Sequence, residues 1–171
     1  VPAFMDDLAK REGISARALE FIILTAARSG EARGARWSEI DGELWTVPAE
    51  RMKTGKAHRV PLSPGAVRAL EAVRGLDPAL VFPSPKRARG GGGKPLSDTV
   101  FKALMTRMGR TGLTTHGFRS SFRDWCAEAA YADREVAEAA LSHSMGNRVE
   151  RAYARSDLFD RRTVLMREWC T

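Results

Sequence analysis

The sequence predicts an α+β domain, mainly α-helical with a small three-stranded antiparallel sheet. Three observations point there. Apolar residues recur at helical spacing in most segments of the chain. One region, Trp37 to Ser63, changes to short segments separated by tight-turn residues. The whole is 171 residues long with 43% hydrophobic residues, enough for one buried core and with no sign of a second domain.

The elements follow in order. Residues 4–12 and 15–28 carry helical spacing, with Gly13 between them and Ser15 placed to cap the second helix. The segments "RWSEID", "LWTVPA" and "HRVPLS", joined by Asp41-Gly42 and by "KTGK", read as three antiparallel strands. An amphipathic helix is expected over 64–75. "RARGGGGKP" then breaks the pattern with Gly90 to Gly93, a loop inside the domain because apolar segments on both sides need each other. Helices resume over 98–109, 117–131, 133–141, 147–155 and 157–169, and no internal repeat is present.

Charge narrows the function classes. The net charge is +7, and 22 of the 28 basic residues are arginine. Its planar fork pairs with phosphate through two hydrogen bonds, so the bias leans toward nucleic acid. No run of about 18 apolar residues and no signal peptide occurs, which makes a cytoplasmic protein without a membrane partner the expectation. Cys126 and Cys170 lack metal-ligand spacing and read as free thiols of a reducing compartment. The chain begins at Val1 without methionine and is expected to be a fragment of a longer protein.

Four stretches concentrate the chemistry. In "THGFRSSFRDW", His116 and Arg119 stand three residues apart at the start of a helix, where backbone N–H groups and the helix dipole favour phosphate. Taken alone, the pair reads first as a capping histidine beside a solvated arginine. In "LTAARSGEARGARW", Arg28 follows an apolar helix and Glu31 lies three residues on, a carboxylate placed to aim the arginine or simply a surface ion pair. Lys53, in "RMKTGKAHRVPL", sits at a hairpin turn, from which a lysine reaches into a groove or rests in solvent. In "ALSHSMGNRVERAYARSD", His143 lies just beyond a helix and Tyr153 ten residues later, on a helix that Asn147 and Glu150 are placed to cap. A lone tyrosine there also packs against Val149 with its hydroxyl wet.

Together, in order and spacing, these stretches resemble the catalytic domain of the tyrosine recombinases, and within them the prophage-type integrases. The resemblance covers nearly the whole chain and implies a role for each position. Arg28 matches the first active-site arginine and Glu31 its supporting acid. Lys53 matches the mobile hairpin lysine, His116 and Arg119 the H-x-x-R box, His143 the second histidine and Tyr153 the nucleophile. Two departures stand out: Ala26 and Ser142 occupy positions where the family often has glycine.

The implied function is site-specific DNA recombination through a covalent 3′-phosphotyrosyl intermediate, without metal, cofactor or ATP. The implied partners are double-stranded DNA and further protomers, four on DNA in the parent protein, whose N-terminal DNA-binding domain has no counterpart here. The residues suit this chemistry. Arg28 and Arg119 would stabilise charge on the nonbridging oxygens. His116 would accept the phenol proton, His143 would hydrogen-bond the phosphate, and Lys53 would protonate the departing 5′-hydroxyl. A metal-dependent nuclease is disfavoured by three scattered histidines and no D-x-D pattern. A DNA-binding module without catalysis would leave the joint placement of the six residues as coincidence.

Overall fold

The computed structural model describes residues 1–86, 93–143 and 157–170. The chain opens with α1 (Pro2–Ala9), whose Pro2 occupies the first turn, where a missing N–H costs nothing. Next comes α2 (Ile14–Thr25), the axis of the fold. Its run Phe21–Thr25 is buried without interruption, the mark of a helix apolar all round. It begins at Gly13, with φ of 97°, so Ser15 lies inside the helix and makes no cap, contrary to the sequence expectation. A five-residue helix, α3 (Ser29–Arg33), follows where no helix was expected.

The strand region forms one antiparallel sheet of order β1-β2-β3, with β1 at Ile40–Asp41, β2 at Leu44–Val47 and β3 at His58–Pro61. The first strand is shorter than "RWSEID" suggested because Trp37–Glu39 coils into a 3-10 turn. Gly42, with φ of 55°, supplies the left-handed residue in the turn between β1 and β2. Register pairs Trp45 with Val60 and Val47 with His58, so alternate side chains of both strands face the helices.

The remaining described helices are α4 (Pro64–Glu71), α5 (Val100–Arg107), α6 (Thr115–Glu128), α7 (Arg134–Ala140) and α8 (Phe159–Trp169). Ser63 Oγ accepts from Ala66 N at the start of α4, and Thr114 Oγ1 accepts from Gly117 N at the start of α6. Helix boundaries fall within a few residues of those expected. Most of the glycine run and the expected helix over 147–155, with Asn147, Glu150 and Tyr153, lie outside the described residues.

The core divides into two clusters. The larger gathers α1, α2, α4, α5 and the sheet around Phe21, Trp45 and Phe82. The smaller joins α6, α7 and α8 around Phe122, Leu141 and Met166. Helix α6 belongs to both: Phe118 stacks on Phe4 of the first, and Phe122 meets Trp169 edge-on in the second. Trp169 Nε1 also donates to Ile23 O at 2.8 Å, fastening α8 to α2.

Candidate functional site

The end of α2 starts the site. Ala26 takes a left-handed conformation, φ 49°, which stops the helix and turns the chain so that Arg28 becomes the cap of α3. Glu31, in the first turn of α3 and 6% exposed, accepts from the Arg28 backbone N–H at 2.9 Å and from its Nη1 at 2.7 Å. One buried carboxylate thus fixes both the backbone and the head of Arg28, whose side chain keeps 30% exposure.

Arg119 arrives from α6, between Phe118 and Phe122, and is itself only 6% exposed. Its Nη1 donates to the Ala26 carbonyl, and its Nη2 donates to Leu141 O at 2.7 Å and lies 3.3 Å from His143 Nε2. Burial, followed by the positive charge of Arg28, pulls its pKa down to about 10, while Glu31 and Glu138 act the other way. It is still a cation at neutral pH. Two arginines are therefore held near each other, Arg28 by the Glu31 carboxylate and Arg119 by two main-chain carbonyls, an arrangement that a bound anion would relieve.

His143 follows α7, which is capped by Leu141 and followed by Ser142 in the left-handed region, φ 50°. Its Nδ1 lies 2.6 Å from Glu138 Oε2, and the other oxygen of Glu138 meets Arg123 Nε at 3.1 Å. Ala26 and Ser142, the two departures noted in the sequence, are thus both left-handed turns, each costing ~1 kcal/mol for a residue with a Cβ. Arg119 hydrogen-bonds the carbonyl of Ala26 and that of Leu141, directly before Ser142, so one guanidinium holds both turns.

The other expected residues are placed differently. His116 is exposed on the first turn of α6, and the cap there is Thr114. Lys53 is exposed on the turn between β2 and β3, where Gly55 has φ of 65°, and forms no ion pair among the described residues. Arg28, Glu31, Arg119 and His143 converge, while Lys53 and His116 stay in solvent. Tyr153 lies outside the described residues.

Two residues went unread in the sequence. His58, on β3, is half-buried and faces the Ala140 carbonyl, with Arg162, Glu31 and Arg119 around it. Burial, then the charge of Arg162, pulls its pKa down to about 4, so the ring is neutral. Strand alternation carried the signal, since His58 shares a face with buried Val60. Arg162, on α8, is fully buried. Its Nη1 donates to Arg59 O at 2.5 Å, Nε to Asp157 O at 2.7 Å and Nη2 to Asp157 Oδ2 at 2.8 Å. Arg59 grips the same carboxylate with two bonds of 2.9 Å and stacks on Phe159. No local pattern announces Arg162, because Arg59 is 103 positions away in the chain.

Among the described residues, no group of His, Cys, Asp and Glu has metal-site geometry, and no helix is long and apolar enough to cross a membrane.

Residues 1–158 match the phage integrase family. The chain is 39% identical over 150 residues to prophage integrase IntA of Escherichia coli K12, covering 86% of this chain and 36% of that protein. It is 32% identical over 190 residues to the integrase of enterobacteria phage P4, covering 98% of this chain and 42% of that protein. The chain thus spans well under half the length of these relatives. Its fold is similar to that of a lambda integrase(75-356) dimer bound to a COC' core site, with TM-score 0.57, 21% identity, and 90% of this chain and 56% of that one covered. A lambda integrase tetramer bound to a Holliday junction gives TM-score 0.58 at 19% identity, over 84% of this chain and 45% of that one.

Proposed function

This chain belongs to the phage integrase family, and on that premise we propose that it is the catalytic domain of a tyrosine recombinase that cleaves and rejoins double-stranded DNA. The observation that carries this reading is the convergence of Arg28, Arg119 and His143. Two restrained cations of like charge are costly to hold together without an anion, and a phosphodiester supplies one.

Each residue then has a task. Arg28 and Arg119 pair with the two nonbridging oxygens of the scissile phosphate and stabilise the charge that grows there. His143 hydrogen-bonds the same phosphate. Tyr153 attacks phosphorus, and His116 takes the phenol proton, needed because a phenol of pKa about 10 is a weak nucleophile at pH 7. Lys53 protonates the 5′-oxygen as it leaves. The P–O bond to that oxygen breaks as the bond to Tyr153 forms, leaving a 3′-phosphotyrosyl ester. Attack by a different 5′-hydroxyl reverses the step and rejoins strands with no ATP and no metal. In the parent protein the partners are DNA and further protomers, as in the lambda integrase assemblies that this fold is similar to. This piece, one domain over 1–171, would bind DNA weakly and with a steep dependence on salt.

The test is covalent attachment. The chain and a Tyr153→Phe variant are incubated with nicked DNA in EDTA and denatured. An adduct with the native chain that is lost in the variant supports the reading. DNA binding without an adduct in either protein overturns it in favour of a module that binds but does not cut.

A further inference from the structure

His143 touches two partners whose chemistry fixes its protons. Arg119 has five donors and no acceptor, so at 3.3 Å from its Nη2 the His143 Nε2 must offer a lone pair. The remaining proton of the neutral ring is then on Nδ1, where the carboxylate of Glu138 accepts it at 2.6 Å. Glu138 is well placed for this. It lies on α7 with its side chain 13% exposed, its other oxygen is held by Arg123 from α6, and its backbone carbonyl accepts from His143 N at 2.9 Å.

We propose that Glu138 is a positioning residue that acts through His143, keeping a proton on Nδ1 so that Nε2 is the nitrogen presented beside Arg119. This rests on the recombinase reading, in which the face shared by Nε2 and Arg119 Nη2 receives the phosphate. When an anion arrives, Nε2 takes up a proton from solvent and donates it to the phosphate while Nδ1 keeps its own. The ring then carries a positive charge among Arg119 and Arg123, and the Glu138 carboxylate is the group that balances it. Without Glu138 the ring is free to turn over or to place its single proton on Nε2, and its alignment with Arg119 is lost.

The test has two arms. In the first, long-range proton–nitrogen NMR on the whole chain reads the tautomer of neutral His143 at about pH 9, well above an ordinary histidine pKa; a His143→Gln variant assigns the signals. The native ring is expected to carry its proton on Nδ1, Glu138→Gln to keep it there because an amide oxygen still accepts, and Glu138→Ala to move it toward Nε2. A native ring protonated on Nε2, or a Glu138→Ala spectrum identical to the native one, overturns the proposal.

In the second arm, Glu138→Ala is expected to slow adduct formation roughly ten- to a hundredfold with little change in DNA affinity, and Glu138→Gln to recover most of the rate. In a His143→Ala background the same Glu138→Ala change is expected to add nothing. A full further loss there overturns the proposal. If the native chain forms no adduct, the recombinase reading fails while the NMR arm still decides the role of Glu138.

Discussion

Arg162 and Asp157 form an ion pair of 2.8 Å in which the arginine is sealed, 1% exposed, and the aspartate is open to water at 44%. The arginine is committed to this contact and to the carbonyls of Arg59 and Asp157, so removing it takes the donor from two carbonyls and leaves the carboxylate to Arg59 and water. Arg162→Met keeps the volume of the stem and deletes the donors. It is expected to lower unfolding free energy by about 3 kcal/mol, measured by urea titration. A loss below about 1 kcal/mol would show that water replaces the clamp at little cost.

His58 gives the fold an acid-side weakness. Its pKa falls from 6.5 to about 4 on folding, so between these values the unfolded chain binds more protons and stability rises with pH. Its contribution is complete above pH 6.5 and declines as pH falls toward 4. From pH 6.5 to 5 the expected loss is at most about 2 kcal/mol. A His58→Gln variant, compared by urea titration at several pH values, is expected to show a flatter profile over this interval; an unchanged slope would assign the acid sensitivity elsewhere.

Lys53 separates chemistry from stability. It is exposed on its turn and has no ion-pair partner among the described residues, so Lys53→Ala is expected to change stability by less than about 0.5 kcal/mol. In the proposed role of general acid it would contribute on the order of 100-fold to cleavage. A DNA substrate whose bridging 5′-oxygen is replaced by sulfur leaves without protonation, and on it the variant is expected to regain near-native rates. A defect equal on both substrates would argue for a binding role.

The two cysteines differ in reactivity. Burial in the smaller core cluster pushes the Cys126 thiol up to about 12, whereas Cys170 is half-buried near the end of α8. Maleimide labelling at pH 8 is expected to modify Cys170 in the folded protein and Cys126 only in denaturant. Rapid native labelling of both, read by mass spectrometry, would mean that α6 opens readily.

Much of this was legible in the chain, for identifiable reasons. The helices and the sheet announced themselves through period and turn chemistry, and Arg28 with Glu31 lay within one short segment. Ser15 misled because a serine beside a helical pattern resembles a cap, while the actual start depends on the backbone of Gly13. Helix α3 is too short to show a period. The network around Arg119 was hidden for another reason: its acceptors at Ala26 and Leu141 are main-chain carbonyls, 93 and 22 positions away, and carbonyls carry no sequence signal. Glu138 carries no signal of its own in the sequence, because only the turn at Ser142 brings His143 back over it.

The grip of Arg119 on the ends of α2 and α7 has a thermal consequence. Ala27 belongs to the larger core cluster, Ala26 and Leu141 to the smaller, and the guanidinium sits at their seam. Neither cluster can loosen on warming without pulling on that knot, and the knot cannot slip while both clusters hold. On heating, the Arg119 contacts and the two clusters are therefore expected to be lost in one transition, with no earlier melting of the arginine centre.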